Sequence, residues 1–121
     1  MGDVMSIEYL GAKIFLDEIN QTEQLWVARN EFRKIYAVEI EQHNFSLPVW
    51  SDSDKVSEYL TNARLIGPPY QPHAIPLAEF TLTWLSDPAR AIAELQINPD
   101  GKSSRVLVMT KEEFQAEQLP A

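Results

Sequence analysis

Proline constrains this chain more than any other residue type, because each one fixes its own φ and withdraws a backbone donor from any helix or sheet it enters. Eight prolines are spread over 121 residues. Gly67-Pro68-Pro69-Tyr70-Gln71-Pro72-His73 cannot continue a helix and interrupts any sheet ladder, so it reads as the longest structureless loop. Pro48 lies in the apolar run Phe45–Trp50, where it demotes a strand to an edge or ends its pairing. Pro76 instead precedes Leu77, Phe80, Thr81 and Trp84, spaced i, i+3, i+4 and i+7, and suits the first turn of a helix. Asp87-Pro88 breaks that helix or restarts it as a short turn through Ala91. Pro99-Asp100-Gly101-Lys102 reads as a hairpin turn, with proline presetting one dihedral and glycine supplying the positive one.

Between these breaks the apolar spacing assigns the elements. Ile7, Leu10, Gly11, Ile14 and Phe15 share one face of a helix from about Ser6 to Ile19, ended by Asn20. Leu25–Arg29 and Phe32–Glu41 alternate as strands, the second placing Tyr36, Val38 and Ile40 opposite Arg33, Glu39 and Glu41. A turn at Gln42-His43-Asn44 leads to the third strand, Phe45–Trp50. Ser51 or Ser53 caps a helix reaching about Asn62, with Val56, Tyr59, Leu60 and Ala63 as its apolar stripe. Ala93–Asn98 and Arg105–Met109 are further strands, and Thr110-Lys111-Glu112-Glu113 is a capping box opening a last short helix. The order is α-β-β-β-α-α-β-β-α. It predicts an α+β fold in two layers: a mostly antiparallel sheet of about five strands with helices packed on one face. The length suits one domain over residues 1–121 without a linker, since neither half alone carries enough apolar residues for a core.

Composition narrows the chemistry. With no cysteine the chain has no disulfide, thiolate ligand or cysteine nucleophile. No apolar run approaches the roughly 20 residues of a membrane span, and the N-terminus lacks the pattern of a signal peptide, so a cytoplasmic protein is expected. Eighteen acidic residues against ten basic ones give a net charge of −8, which repels phosphate backbones and argues against nucleic-acid binding. The same charge suits a basic protein as partner, or does no more than keep a small protein soluble. The only histidines, His43 and His73, have no metal-ligand spacing. Ser51-Asp52-Ser53-Asp54 lacks the glycine and distal glutamate of a calcium loop and reads as a helix start. There is no nucleophile elbow, phosphate loop or dinucleotide fingerprint, so neither a catalytic residue nor a cofactor is assigned.

The aromatic residues remain. Trp84 and Phe80 share a helical face and read as core. Trp50 ends a strand at a proline and Tyr70 sits in the proline loop, where contact residues concentrate. Trp50, Pro69, Tyr70 and His73 are therefore the candidate contact residues for a partner or ligand, within a rim that also takes in Pro68 and Pro72.

Leu25-Trp26-Val27, then Leu47-Pro48-Val49-Trp50, then Ala74-Ile75-Pro76-Leu77-Ala78-Glu79-Phe80 with Trp84-Leu85 resemble the bacterial family named domain of unknown function 2750. The resemblance covers roughly Phe15 to Glu117, and the block from Ala74 is its most specific part. Ser86-Asp87-Pro88 stands where the family pattern has a Pro-Gly turn. The resemblance implies a small soluble bacterial protein and carries over no catalytic residue. Three functional classes follow: a non-enzymatic protein-interaction or regulatory domain, a small-molecule binder or enzyme with a pocket near Trp50 and Pro68–His73, and a homodimer. The homodimer would be joined through an edge strand at Phe45–Trp50 or Arg105–Met109. The first is the leading expectation.

Overall fold

The computed structural model describes residues 7–118, with side chains from Leu10 onward. The expected helix start at Ser6 lies outside the described residues. Helix α1 (Ile7–Thr22) is followed by β1 (Gln24–Asn30), β2 (Val38–Glu41), β3 (Asn44–Val49), α2 (Ser53–Ala63) and β4 (Tyr70–Pro76). Helix α3 (Leu77–Glu79) then passes directly into a π-helical turn, Phe80–Trp84. Strands β5 (Ile92–Ile97) and β6 (Leu107–Thr110) and helix α4 (Lys111–Glu117) complete the α+β fold.

The strands form a two-stranded ribbon, β1–β4, and a four-stranded sheet in the order β2-β3-β5-β6. Three of the strand pairs are antiparallel, while β3 and β5 run parallel because the chain crosses over through α2, β4 and α3 between them. The ribbon joins the larger sheet where Trp26 and Trp50 exchange backbone hydrogen bonds of 2.8 and 2.9 Å. This junction explains Pro48. Phe45 donates to Ala91 on the β5 side and the Val49 carbonyl accepts from Asn98 on that same side. Alternation turns Pro48 the other way, into the gap where pairing with β2 has stopped at Ser46 and pairing with β1 begins at Trp50. The missing donor therefore costs no ladder bond, and β3 stays central instead of becoming an edge. The sheet edges are β2 and β6, which removes Phe45–Trp50 as a pairing edge.

Strand β1 separates two apolar clusters. Leu25 and Val27 enter the main core with Phe15, Ile19, Leu47, Val49, Ile75, Phe80, Leu95 and Phe114. Trp26 and Ala28 face a second, aromatic cluster with Trp50, Val56, Tyr36, Tyr59 and Tyr70. Both faces of β1 are covered, so its alternation sorts residues between two cores instead of between core and water. Helix α1 buries Phe15, Leu16 and Ile19, while Leu10 and Ile14 are exposed. The buried stripe keeps Phe15 of the expected face and adds Leu16 and Ile19 in place of Leu10 and Ile14; both stripes have helical spacing, and the packing partner selects between them.

Three further expectations are corrected. Residues 70–76 form strand β4 despite Pro72 and Pro76, because a strand in a two-stranded ribbon can leave one edge of its backbone unbonded. The segment expected as one strand from Phe32 bends: Ile35 bridges Arg29 of β1, and only Val38–Glu41 pairs with β3. Val38 and Ile40 are consequently exposed. Strands β5 and β6 pair from Ile97 opposite Leu107, so the Pro99–Lys102 turn is part of a longer loop that packs on α2 instead of a tight hairpin. Other local signals are realised as read. Gln42 and His43 take φ of 45° and 69°, the turn geometry that suits a two-residue hairpin. Thr110 and Glu113 exchange both bonds of the capping box, at 2.8 and 3.0 Å. The cap of α2 is a correction: neither Ser51 nor Ser53 supplies it but Asp52 between them, whose carboxylate reaches the Lys55 amide and accepts from it at 2.9 Å. Among the described residues no helix is long and apolar enough to cross a membrane.

Candidate functional site

The four candidate residues separate into two environments. Trp50 is fully buried, and its indole Nε1 donates to the Pro99 carbonyl at 2.8 Å. It has no surface with which to touch a partner. Its ring lies 5.2 Å from that of Tyr59, and Tyr36 lies 6.0 Å from Tyr59 and 5.7 Å from Tyr70. The Tyr59 hydroxyl donates to that of Tyr36 at 3.2 Å, and burial raises its pKa. Tyr70 is thus half-buried packing in the aromatic cluster under the tip of the ribbon.

Pro69 and His73 line a concavity of about 310 Å³ together with Arg29, Asn30, Glu31, Arg33, Gln71 and Pro72. Strand register builds it. On one face of the ribbon Leu25 opposes Ile75, Val27 opposes His73, and Arg29 opposes Gln71. The row leaves the core at Val27 and continues toward the tip with polar side chains. On the far side the loop after β1 is held by one residue. The buried Asn30 side chain accepts from the amides of Phe32 and Lys34 at 2.9 and 3.0 Å, and its backbone bonds to Lys34 and Arg33 at 3.0 Å each. Arg33 is held at φ 63°, the left-handed region. This clamp fixes Glu31, Phe32 and Arg33 on the rim.

Asn30→Ala is expected to lower unfolding free energy by about 1–3 kcal/mol, because two turn amides lose their acceptor. Chemical denaturation measures it, with the largest loss of amide protection confined to residues 31–34.

The electrostatics of the concavity run against those of the chain. Its lining carries two arginines, one glutamate and His73, in a protein of net charge −8. Among the described residues neither Arg29 nor Arg33 has an ion pair or a side-chain hydrogen bond. Burial, with the nearby Arg29 charge, lowers the His73 pKa below its usual 6.5, partly opposed by Glu79. At neutral pH the imidazole is therefore neutral and the two guanidinium groups supply the cationic character. Two large apolar side chains stand exposed at the same end of the ribbon: Phe32, 65% exposed, after β1, and Ile66, 99% exposed, in the loop before β4. Asn30 opposes Tyr70, which brings those two loops side by side. Sequence reading selected Pro69 and His73 but missed Arg29, Arg33 and Phe32. The one available signal was the odd placement of an apolar residue beside Arg33-Lys34 in a predicted strand start.

Among the described residues no group of three or more His, Asp or Glu side chains is arranged to hold a metal ion. With two arginines against one glutamate, the lining of the concavity is net cationic. Residues 12–117 match the model of the family described as protein of unknown function (DUF2750), and the chain belongs to that family. No curated protein matches it.

Proposed function

We propose that this member of the DUF2750 family is a protein-interaction domain whose contact surface is the tip of the β1–β4 ribbon. An acidic side chain of the partner enters between Arg29 and Arg33. The observation that carries the reading is the pair of arginines without ion pairs in a chain of 18 acidic and 10 basic residues. Carboxylates are plentiful in this protein, yet none among the described residues pairs with these two guanidinium groups. The rim supports the same reading, because arginine beside an exposed aromatic residue is the composition of an interface centre, and the prolines hold the surrounding backbone stiff. Trp50 and Tyr70 serve it from beneath, as packing that sets the tip. The group recognised by this surface is acidic, although the overall charge suggested a basic partner.

Selection of displayed random peptides is expected to enrich Asp and Glu. A peptide so obtained should lose about tenfold or more in affinity to the R29E/R33E variant and weaken as salt is raised. Affinity should rise as pH falls from about 7.5 to about 5.5, because a bound carboxylate favours protonated His73 while the free site disfavours it. Selected peptides without acidic enrichment, or with unchanged binding to R29E/R33E, would overturn the proposal.

A further inference from the structure

A second, shallower depression of about 290 Å³ adjoins the cationic concavity, and Arg33 lines both. Its floor is apolar: Ile35, Ala37, Phe45, Leu47, Ile92 and Trp84, the last presented by the π-helical turn. Its remaining charged residue is Arg90, whose guanidinium lies 4.0 Å from the centroid of the Trp84 ring and whose Nε is 3.6 Å from Asp87 Oδ2. Among the described residues no carboxylate lines this groove. It exposes the edge of the main core through a gap between the Ile35–Ala37 segment and the Trp84–Arg90 turn. The register there depends on the Leu85 amide reaching back to the Phe80 carbonyl at 3.1 Å, the five-residue spacing that turns both Phe80 and Trp84 inward.

We infer that this groove receives a bulky apolar side chain of the same partner segment, so that the unit recognised is an acidic residue next to a bulky apolar one. The inference rests on the interaction reading above and deepens it. Three observations select the occupant. The shared Arg33 places the apolar floor beside the anion-binding donors. The volume of about 290 Å³ falls just below the range of sites for drug-sized ligands, about 300–1,000 Å³, which suits a single side chain. Arg90 is compensated by Asp87, so Arg33 supplies the uncompensated charge of the rim, which complements an acidic neighbour and repels a basic one.

The test uses the full chain and three peptides blocked at both ends, differing in two adjacent positions: Glu-Leu, Glu-Ala and Ala-Leu. Calorimetry is expected to show Glu-Leu binding about tenfold or more tighter than Glu-Ala, since the groove removes most of the leucine side chain from water. Ala37→Leu, which fills the half-buried floor without altering charge, should abolish that preference and leave Glu-Ala binding unchanged. Unchanged Glu-Ala binding also certifies that the variant is folded, and Ala37→Met provides the same block where the leucine is not tolerated. Equal affinity of Glu-Leu and Glu-Ala in the wild-type chain, or a preference that survives the block, overturns the inference while leaving the arginine-dependent reading in place. Binding of every peptide unchanged by R29E/R33E removes that reading, and this inference with it.

Discussion

Trp50→Ala is expected to remove about 3–5 kcal/mol of folding stability, a large share of the roughly 5–15 kcal/mol that holds a typical domain folded. Two losses combine. The ring is fully buried in the aromatic cluster, tilted at 54° against Tyr59 and clustered with Val56 and Ala28. Its removal leaves a cavity beneath both α2 and the ribbon, and the neighbouring rings are too large to close it without shifting. The indole N–H also supplies the buried Pro99 carbonyl with its hydrogen bond at 2.8 Å. Trp50→Phe separates the two terms: it keeps most of the apolar volume and forfeits the bond, for an expected loss of about 1–3 kcal/mol. Equilibrium denaturation of both variants measures the split. A Trp50→Ala protein as stable as Trp50→Phe would show that cavity formation contributes little there. Because the backbone of Trp50 also joins the ribbon to the larger sheet, the alanine variant should loosen β1 and β4 before the β3–β5 pair, which amide exchange resolves.

Gly101→Ala is expected to cost about 2–4 kcal/mol, an unusually large effect for an exposed loop position. Gly101 has φ +79°, and a Cβ built there would stand 2.9 Å from the Asn62 Cβ, 3.0 Å from the Tyr59 carbonyl oxygen and 3.2 Å from the Ala63 amide. Those are atoms of the last turn of α2, so relief requires the loop to lift away from the helix. The Asn62 side-chain amide donates to the Asp100 carbonyl at 2.7 Å, and that bond would be stretched at the same time. Gly67→Ala is the control. Its φ is +105°, but nothing lies within 4 Å of the added carbon, so only the conformational strain applies. Its expected cost is about 1–2 kcal/mol. Thermal unfolding of the pair isolates the steric contribution as their difference, and equal costs would show that the loop does not press on α2.

The legible parts of this fold are those decided by neighbours in sequence. The capping box at Thr110 and Glu113, the start of α2 within the Ser51–Asp54 stretch and the turn at Gln42-His43 depend on residues three or four apart at most, so local chemistry suffices to place them. The misread parts are those whose outcome depends on a distant partner. Pro72 weakens a strand only where its missing donor would have been used, and in a two-stranded ribbon one edge of β4 is left over. Pro48 is harmless because β3 changes partner across it. Leu10 and Ile14 compete with Leu16 and Ile19 for a place beside Phe15 on the inner face of α1, and the core takes the latter.

The candidate site divides in the same way. Proline spacing drew attention to Pro69 and His73, and both line the concavity. Composition recorded an acidic chain, and a net charge has no address. It took the antiparallel pairing of residues far apart in sequence to bring Arg29 alongside His73, and the Asn30 clamp to fold Arg33 back over them. By itself, then, the sequence determined the fold class, most of the element types, the Thr110–Glu113 capping box and the family. Tertiary structure alone decided which face of β1 meets which core, that Trp50 is interior, and that two arginines without an ion pair among the described residues line one concavity. The physical reason is that hydrogen-bond satisfaction along a helix or turn is local. Burial and charge proximity are set by whichever segment packs opposite.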